Sequence, residues 1–127
     1  MVRNEERKRE AALNINFQQL DRQTKQIESQ KLRNAQRLKR IAQAEQLFTD
    51  IQLKKRNQLE VLSQNWKGKS AEAILSESFS NHEHFYRQQM RQISEQQHIL
   101  NQEKRELLKQ EEKIMRAKHE VLRGGGR

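Results

Sequence analysis

The stretch Asn65-Trp66-Lys67-Gly68-Lys69-Ser70 decides how this chain folds. Trp66 is the sole tryptophan, Gly68 is the first glycine before a cluster at Gly124 to Gly126, and proline is absent. Glycine and proline are the strongest local breakers of helices, so a chain of 127 residues with one isolated glycine near its midpoint is predicted to turn there and nowhere else. Two long helices folding back on each other at Gly68 follow from that reading.

The apolar pattern on either side supports the same turn. In the second half Phe79, Tyr86, Ile93, Leu100, Leu107, Ile114 and Val121 recur at strict sevens, the period of a left-handed helical seam. In the first half Leu13, Leu20, Ile27, Ile41, Phe48 and Leu62 keep the same period, with Asn34 and Lys55 as its polar members. The pairs 48 and 86, 41 and 93, 34 and 100, 27 and 107, 20 and 114, and 13 and 121 are each equidistant from Lys67. Equidistant residues meet in an antiparallel hairpin, so the two seams are mirror images about the predicted turn. The expected fold class is all-α, a long antiparallel two-helix hairpin of coiled-coil type. Its first helix spans 4–64, its turn 65–69 and its second helix 70–122, with a flexible tail over 123–127, all in one structural unit.

Composition agrees with a helical rod class rather than a globule. An apolar content of 32% against 34% charged residues is too polar for a thick core, and the sustained heptad argues against disorder. Without cysteine there is neither a disulfide framework nor a thiolate site. The basic N-terminus is followed by no apolar segment of signal-peptide type, and no apolar run approaches a membrane span, so no membrane insertion is expected.

Local signals refine the ends of the helices. Asn4 is a candidate N-cap, with Glu5 and Glu6 in the first turn, and Ser70 a candidate N-cap for the second helix, with Glu72 after it. Gly68 suits the left-handed residue that closes a helix. Trp66 reads first as an apolar lid over the hairpin end and second as a contact for a partner. Asn34 is either a register-fixing polar residue or a solvated gap in a loose seam. Beside the seam, Phe85 and Ile99 fall one position before seam members, and Leu108, Met115 and Leu122 one position after. Neighbouring helical residues diverge by about 100°, so these doublets widen the apolar surface beyond what one facing helix covers and mark a candidate partner surface.

Enzymatic chemistry has no foothold in the pattern. His82, His84, His98 and His119 are the four imidazoles, and the first two diverge on a helix by roughly 200°, so they do not converge on a metal. There is no glycine-rich phosphate loop, nucleophile elbow or His-Glu-x-x-His helix, and neither a catalytic residue nor a cofactor or metal ligand is assigned. The net charge of +9 permits nonspecific phosphate contacts, but the basic clusters are interleaved with acids and aromatics for base stacking are few. Nucleic acid is therefore not the expected partner.

The ten residues from Asn65 to Ile74 resemble the turn of the Trp-x-Gly (WXG-like) superfamily of small helical hairpins associated with type VII secretion. Trp66, Gly68, Ser70, Ala71 and Ile74 occupy the matching positions. Members that carry their own export signal end the second helix with Tyr-x-x-x-Asp/Glu or a phenylalanine version, whereas this chain has neither Phe nor Tyr after Met90. That departure makes it more similar to the small accessory proteins encoded with LXG toxins in type VIIb systems. The resemblance implies a chaperone or targeting factor in the cytoplasm that binds the helical N-terminal domain of an LXG toxin, together with a second small hairpin protein. It further implies a joint surface for the secretion ATPase, and leaves open whether the chain stays in the cytoplasm or is exported with the cargo without a signal peptide. A coiled-coil scaffold or export-apparatus component unrelated to toxins is the alternative.

Overall fold

In a computed structural model that describes residues 2–125, the chain forms two α-helices, α1 (Val2–Asn65) and α2 (Lys69–Gly125), packed against each other as an all-α hairpin. No strand occurs among the described residues. Residues cluster into two compact units, each built from a segment of α1 and a segment of α2. The first joins the chain up to Gln36 with the chain from Asn101 onward, and the second spans Arg37–Leu100 and contains the turn.

The turn is made by Trp66, Lys67 and Gly68 alone. The Trp66 N–H donates to the Leu62 carbonyl at 2.8 Å, the last bond of α1, and the Asn65 side-chain amide donates to the Val61 carbonyl at 3.0 Å, one turn back. Gly68 follows with φ 126°, the one positive φ among the described residues. Its carbonyl already accepts the Glu72 N–H at 2.9 Å, the first bond of α2. Gly68 is therefore both the reversal and the N-cap of the second helix, and Ser70, expected as that cap, sits inside the first turn. The cause is the backbone: the reversal needs a positive φ that glycine adopts freely, so the N-cap falls on Gly68 two residues before Ser70, and glycine at an N-cap costs only a few tenths of a kcal/mol against a side-chain cap.

Other ends also differ from expectation. Asn4 lies within the first turn of a helix that starts at Val2. At the far end α2 continues through Arg123, Gly124 and Gly125 where a flexible tail was expected from 123; Gly126 and Arg127 lie outside the described residues. Once a helix is nucleated each added residue forms one more bond, and a glycine costs only about 1 kcal/mol against alanine.

Each unit has a thin core along the mirror seam. In the first, Ile27 and Leu107 are buried and Leu13, Leu20, Ile114 and Val121 half-buried; in the second, Ile93 and Leu100 are buried and Ile41, Phe48, Phe79 and Tyr86 half-buried. Asn34 is only 2% exposed, which removes the solvated-gap reading. Its polar atoms are satisfied, since no buried side-chain nitrogen or oxygen among the described residues lacks a partner. Leu62, expected in the seam, is instead 45% exposed. The residue equidistant from the turn is Glu72, a first-turn carboxylate, so no apolar surface stands opposite. Ala71 and Leu75 fill the core beside the turn instead.

The polar positions next to the seam are used rather than wasted. In the first unit Lys31 Nζ reaches Glu111 Oε2 at 2.8 Å, Lys118 Nζ reaches Asp21 Oδ1 at 3.5 Å, and the same ammonium lies 5.7 Å from the Phe17 ring centre. In the second unit the Gln97 amide donates to Glu45 Oε2 at 2.7 Å, and His82 Nε2 lies 3.3 Å from the Gln52 carbonyl oxygen. In each side-chain pair the α2 member is farther from Lys67 than the α1 member. Helical side chains lean toward their own N-terminus, away from the turn on α1 and toward it on α2, so their tips meet only with that offset.

Two measurements check this account. No atom lies within 4 Å of a Cβ built on Gly68, so substitution there strains the backbone without a clash. Gly68→Val is expected to lower thermal stability by about 1–3 kcal/mol and Lys67→Ala by less than about 0.5 kcal/mol; equal melting temperatures would contradict the glycine's role. Asn34→Ala, which removes a satisfied polar group and its volume from a buried position, is expected to cost about 1–3 kcal/mol, while Asn34→Leu, which refills that volume, is expected to cost less at the expense of a fixed register. An Asn34→Ala variant that melts like the wild type would exclude a buried polar contact.

Candidate partner surface

Around each seam residue, called position a, two rows run along either side of the helix. Positions d and g (three after and one before) lie on one flank, and positions e and b (four after and one after) on the other. A two-helix unit covers position a and half covers d and e. The g and b rows stay mostly open, with Ala71 beside the turn the buried exception.

In the second unit most of the open apolar groups gather on the d/g flank, with Leu53 and Ile74 exposed elsewhere. On α1 the d row reads Arg37, Ala44, Ile51, Gln58 and the g row Arg40, Leu47, Lys54, Val61. On α2 the g row reads Ala71, Ser78, Phe85, Gln92, Ile99, of which Ala71 is buried. Leu47, Ile51, Val61, Phe85 and Ile99 are all exposed, Phe85 at 51%. Between the helices on this flank runs an open groove of about 490 Å³, lined by Lys55, Gln58, Leu59 and Leu62 from α1 and by Ser78, Asn81, His82 and Phe85 from α2. The exposed Leu62 thus becomes part of its floor.

In the first unit a regular apolar row lies on the e/b flank, with Ile15 and Leu32 exposed outside it. Leu108, Met115 and Leu122 form the b row of α2, all exposed, with Phe17 at an e position of α1. A smaller hollow of about 270 Å³ adjoins them, lined by Thr24, Ile27, Glu28, Glu111, Ile114 and Met115. The d/g side of this unit is instead a groove of glutamines, Gln23, Gln26, Gln30 and Gln110 with Ile27, Lys113 and Ile114.

The five residues singled out from sequence are therefore exposed but do not form one stripe. Phe85 and Ile99 belong to one flank of the second unit, and Leu108, Met115 and Leu122 to the other flank of the first. Sequence reasoning missed Leu47 and Val61, whose g row on α1 alternates with Arg40 and Lys54, and Ile51, whose d row also holds Arg37 and Gln58, so that neither row carries an apolar period by itself. Trp66 is 40% exposed and is not the closed lid expected of it, because a pair of helices offers no third surface over its end.

Among the described residues no three His, Cys, Asp or Glu side chains come together as a metal site, and no helix is long and apolar enough to cross a membrane. No protein-family model, characterised relative or solved structure matches the chain.

Surface apolar residues contribute little to folding of an isolated hairpin. The double variant Ile51→Ser/Phe85→Ser is expected to keep its helix content and to lose less than about 1 kcal/mol of stability, since exposed substitutions commonly change stability within about 0.5 kcal/mol each. A drop of many degrees in the melting temperature, followed by circular dichroism, would move both residues into the core.

Proposed function

We propose that this chain is a non-enzymatic helical adaptor, a targeting factor or chaperone that binds the helical N-terminal domain of an LXG-type toxin for export by a type VIIb secretion system. The single observation that supports the reading most directly is the exposure of regular apolar rows beside a thin, already formed seam. Such rows suit helices supplied by another protein, because an amphipathic helix docks through apolar anchors spaced at i, i+3, i+4 and i+7. Two separate flanks, one per unit, also suit two occupants, the toxin helix and a second small hairpin. The Trp66 and Gly68 turn supplies the link to secretion, by its resemblance alone, and the secretion ATPase would meet the assembled complex rather than this chain in isolation.

The alternative, a coiled-coil scaffold or export-apparatus component without a toxin, draws support from the cross-helix ion pairs of the first unit, which let the hairpin stand with little apolar burial.

Co-expression with the products of neighbouring reading frames separates the two. The wild type is expected to co-purify with an LXG domain or a second hairpin, and Leu108→Gln/Met115→Gln to lose one of them while helicity is kept. Apolar anchors at the centre of an interface commonly cost more than about 1 kcal/mol each when truncated, so the pair amounts to roughly a thirtyfold weakening or more. Retained binding by the double variant would remove the e/b flank from the interface, and failure of the wild type to bind any such helix would favour the scaffold.

A further inference from the structure

The charges around the groove of the second unit are sorted by flank. On the e/b side Arg87 pairs with Glu83 at 3.7 Å, Arg56 with Glu60 at 3.6 Å, and Glu45 accepts from Gln97. Cations there are matched by carboxylates. On the d/g side the α1 rows carry Arg37, Arg40 and Lys54, Lys55 lines the groove, and neither the d nor the g row of either helix in this unit contains an aspartate or glutamate. Among the described residues none of these four cations has an ion-pair partner. The next row outward holds Asp50, which accepts from the Gln46 amide at 3.1 Å, and Glu95. One flank of this unit is thus apolar and cationic at once.

We propose that the d/g flank of the second unit is a docking surface for an acidic amphipathic helix, whose apolar face covers Leu47, Ile51 and Phe85 and whose carboxylates meet Arg40, Lys54 and Lys55. The inference rests on the adaptor reading and adds the chemistry of the partner. Leu47 to Val61 is fifteen residues, and the rises between them add up to about 21 Å of helix, so the surface engages roughly four turns of its occupant. A second copy of this chain fits poorly, because its matching flank would set the same cations against these, and like charges across an interface oppose association. Nucleic acid fits poorly too. Phosphates would satisfy the cations but leave the apolar centre wet, and Phe85 is the one aromatic ring in the exposed g row.

The test uses the full chain and two labelled synthetic peptides of about three heptads, each with a leucine face and differing only in flanking glutamates or lysines. By fluorescence anisotropy the acidic peptide is expected to bind at least about tenfold more tightly than the basic one, and to lose that advantage at about 1 M salt, where the screening length falls to about 3 Å. Arg40→Glu/Lys54→Glu should invert the preference, and Ile51→Ser/Phe85→Ser should abolish binding of both peptides with helicity intact. Equal binding of the two peptides, no binding of the acidic one, full displacement by an equimolar single-stranded oligonucleotide, or self-association of the wild type that Phe85→Ser abolishes would each overturn the proposal. If the wild type co-purifies with an LXG domain but does not bind the acidic peptide, this surface falls while the adaptor reading stands. If no LXG domain binds the wild type but the acidic peptide does, the surface stands and the toxin assignment falls.

Discussion

Two helices can hide only the line along which they touch. A helix is a cylinder with side chains on all sides, and one neighbour covers a narrow stripe of it, so a hairpin has a core one side chain thick. Every other property of this protein depends on that limit. It explains why Ile27, Ile93, Leu100 and Leu107 are buried while Phe85, Ile99, Leu108 and Met115, one position from the seam, are not. It also explains why polar groups beside the seam reach across it, as Lys31 does to Glu111 and Gln97 to Glu45. A long side chain there keeps its charged end near water and lends its methylene stem to the thin core.

The turn shows the same economy. A three-residue reversal between helices of 64 and 57 residues leaves no surface on which to bury an indole, and Trp66 is accordingly open. What the turn requires is backbone freedom, and Gly68 supplies it by reversing the chain and starting α2 with its own carbonyl. The conspicuous residue of the motif is thus free for contact, and the inconspicuous one carries the geometry.

A surface left open by construction is also where a protein of this shape can acquire partners. The two units expose apolar groups on different flanks, and in the second unit the charge follows the flank as well. Matched charges stabilise a hairpin in isolation only weakly, by about 0–1 kcal/mol per exposed pair. Unmatched cations beside apolar rows have a different use, since they favour one sign of partner and speed its encounter.

The sequence by itself determined the hairpin. Seam residues at sevens, reflected about Lys67, fix helix, register and direction, because the period of a side chain around a helix is a local property of the backbone. It also marked Phe85, Ile99, Leu108, Met115 and Leu122 as surplus to the seam. Only the tertiary structure decided which groups face each other. Asn34 is buried rather than solvated, Leu62 is open because Glu72 stands at its mirror position, and Leu75 is buried although its row continues as His82, Gln89 and Gln96. The groove that brings Leu62 beside Phe85 joins residues from two helices, and a pattern along one helix carries no record of what lies across from it.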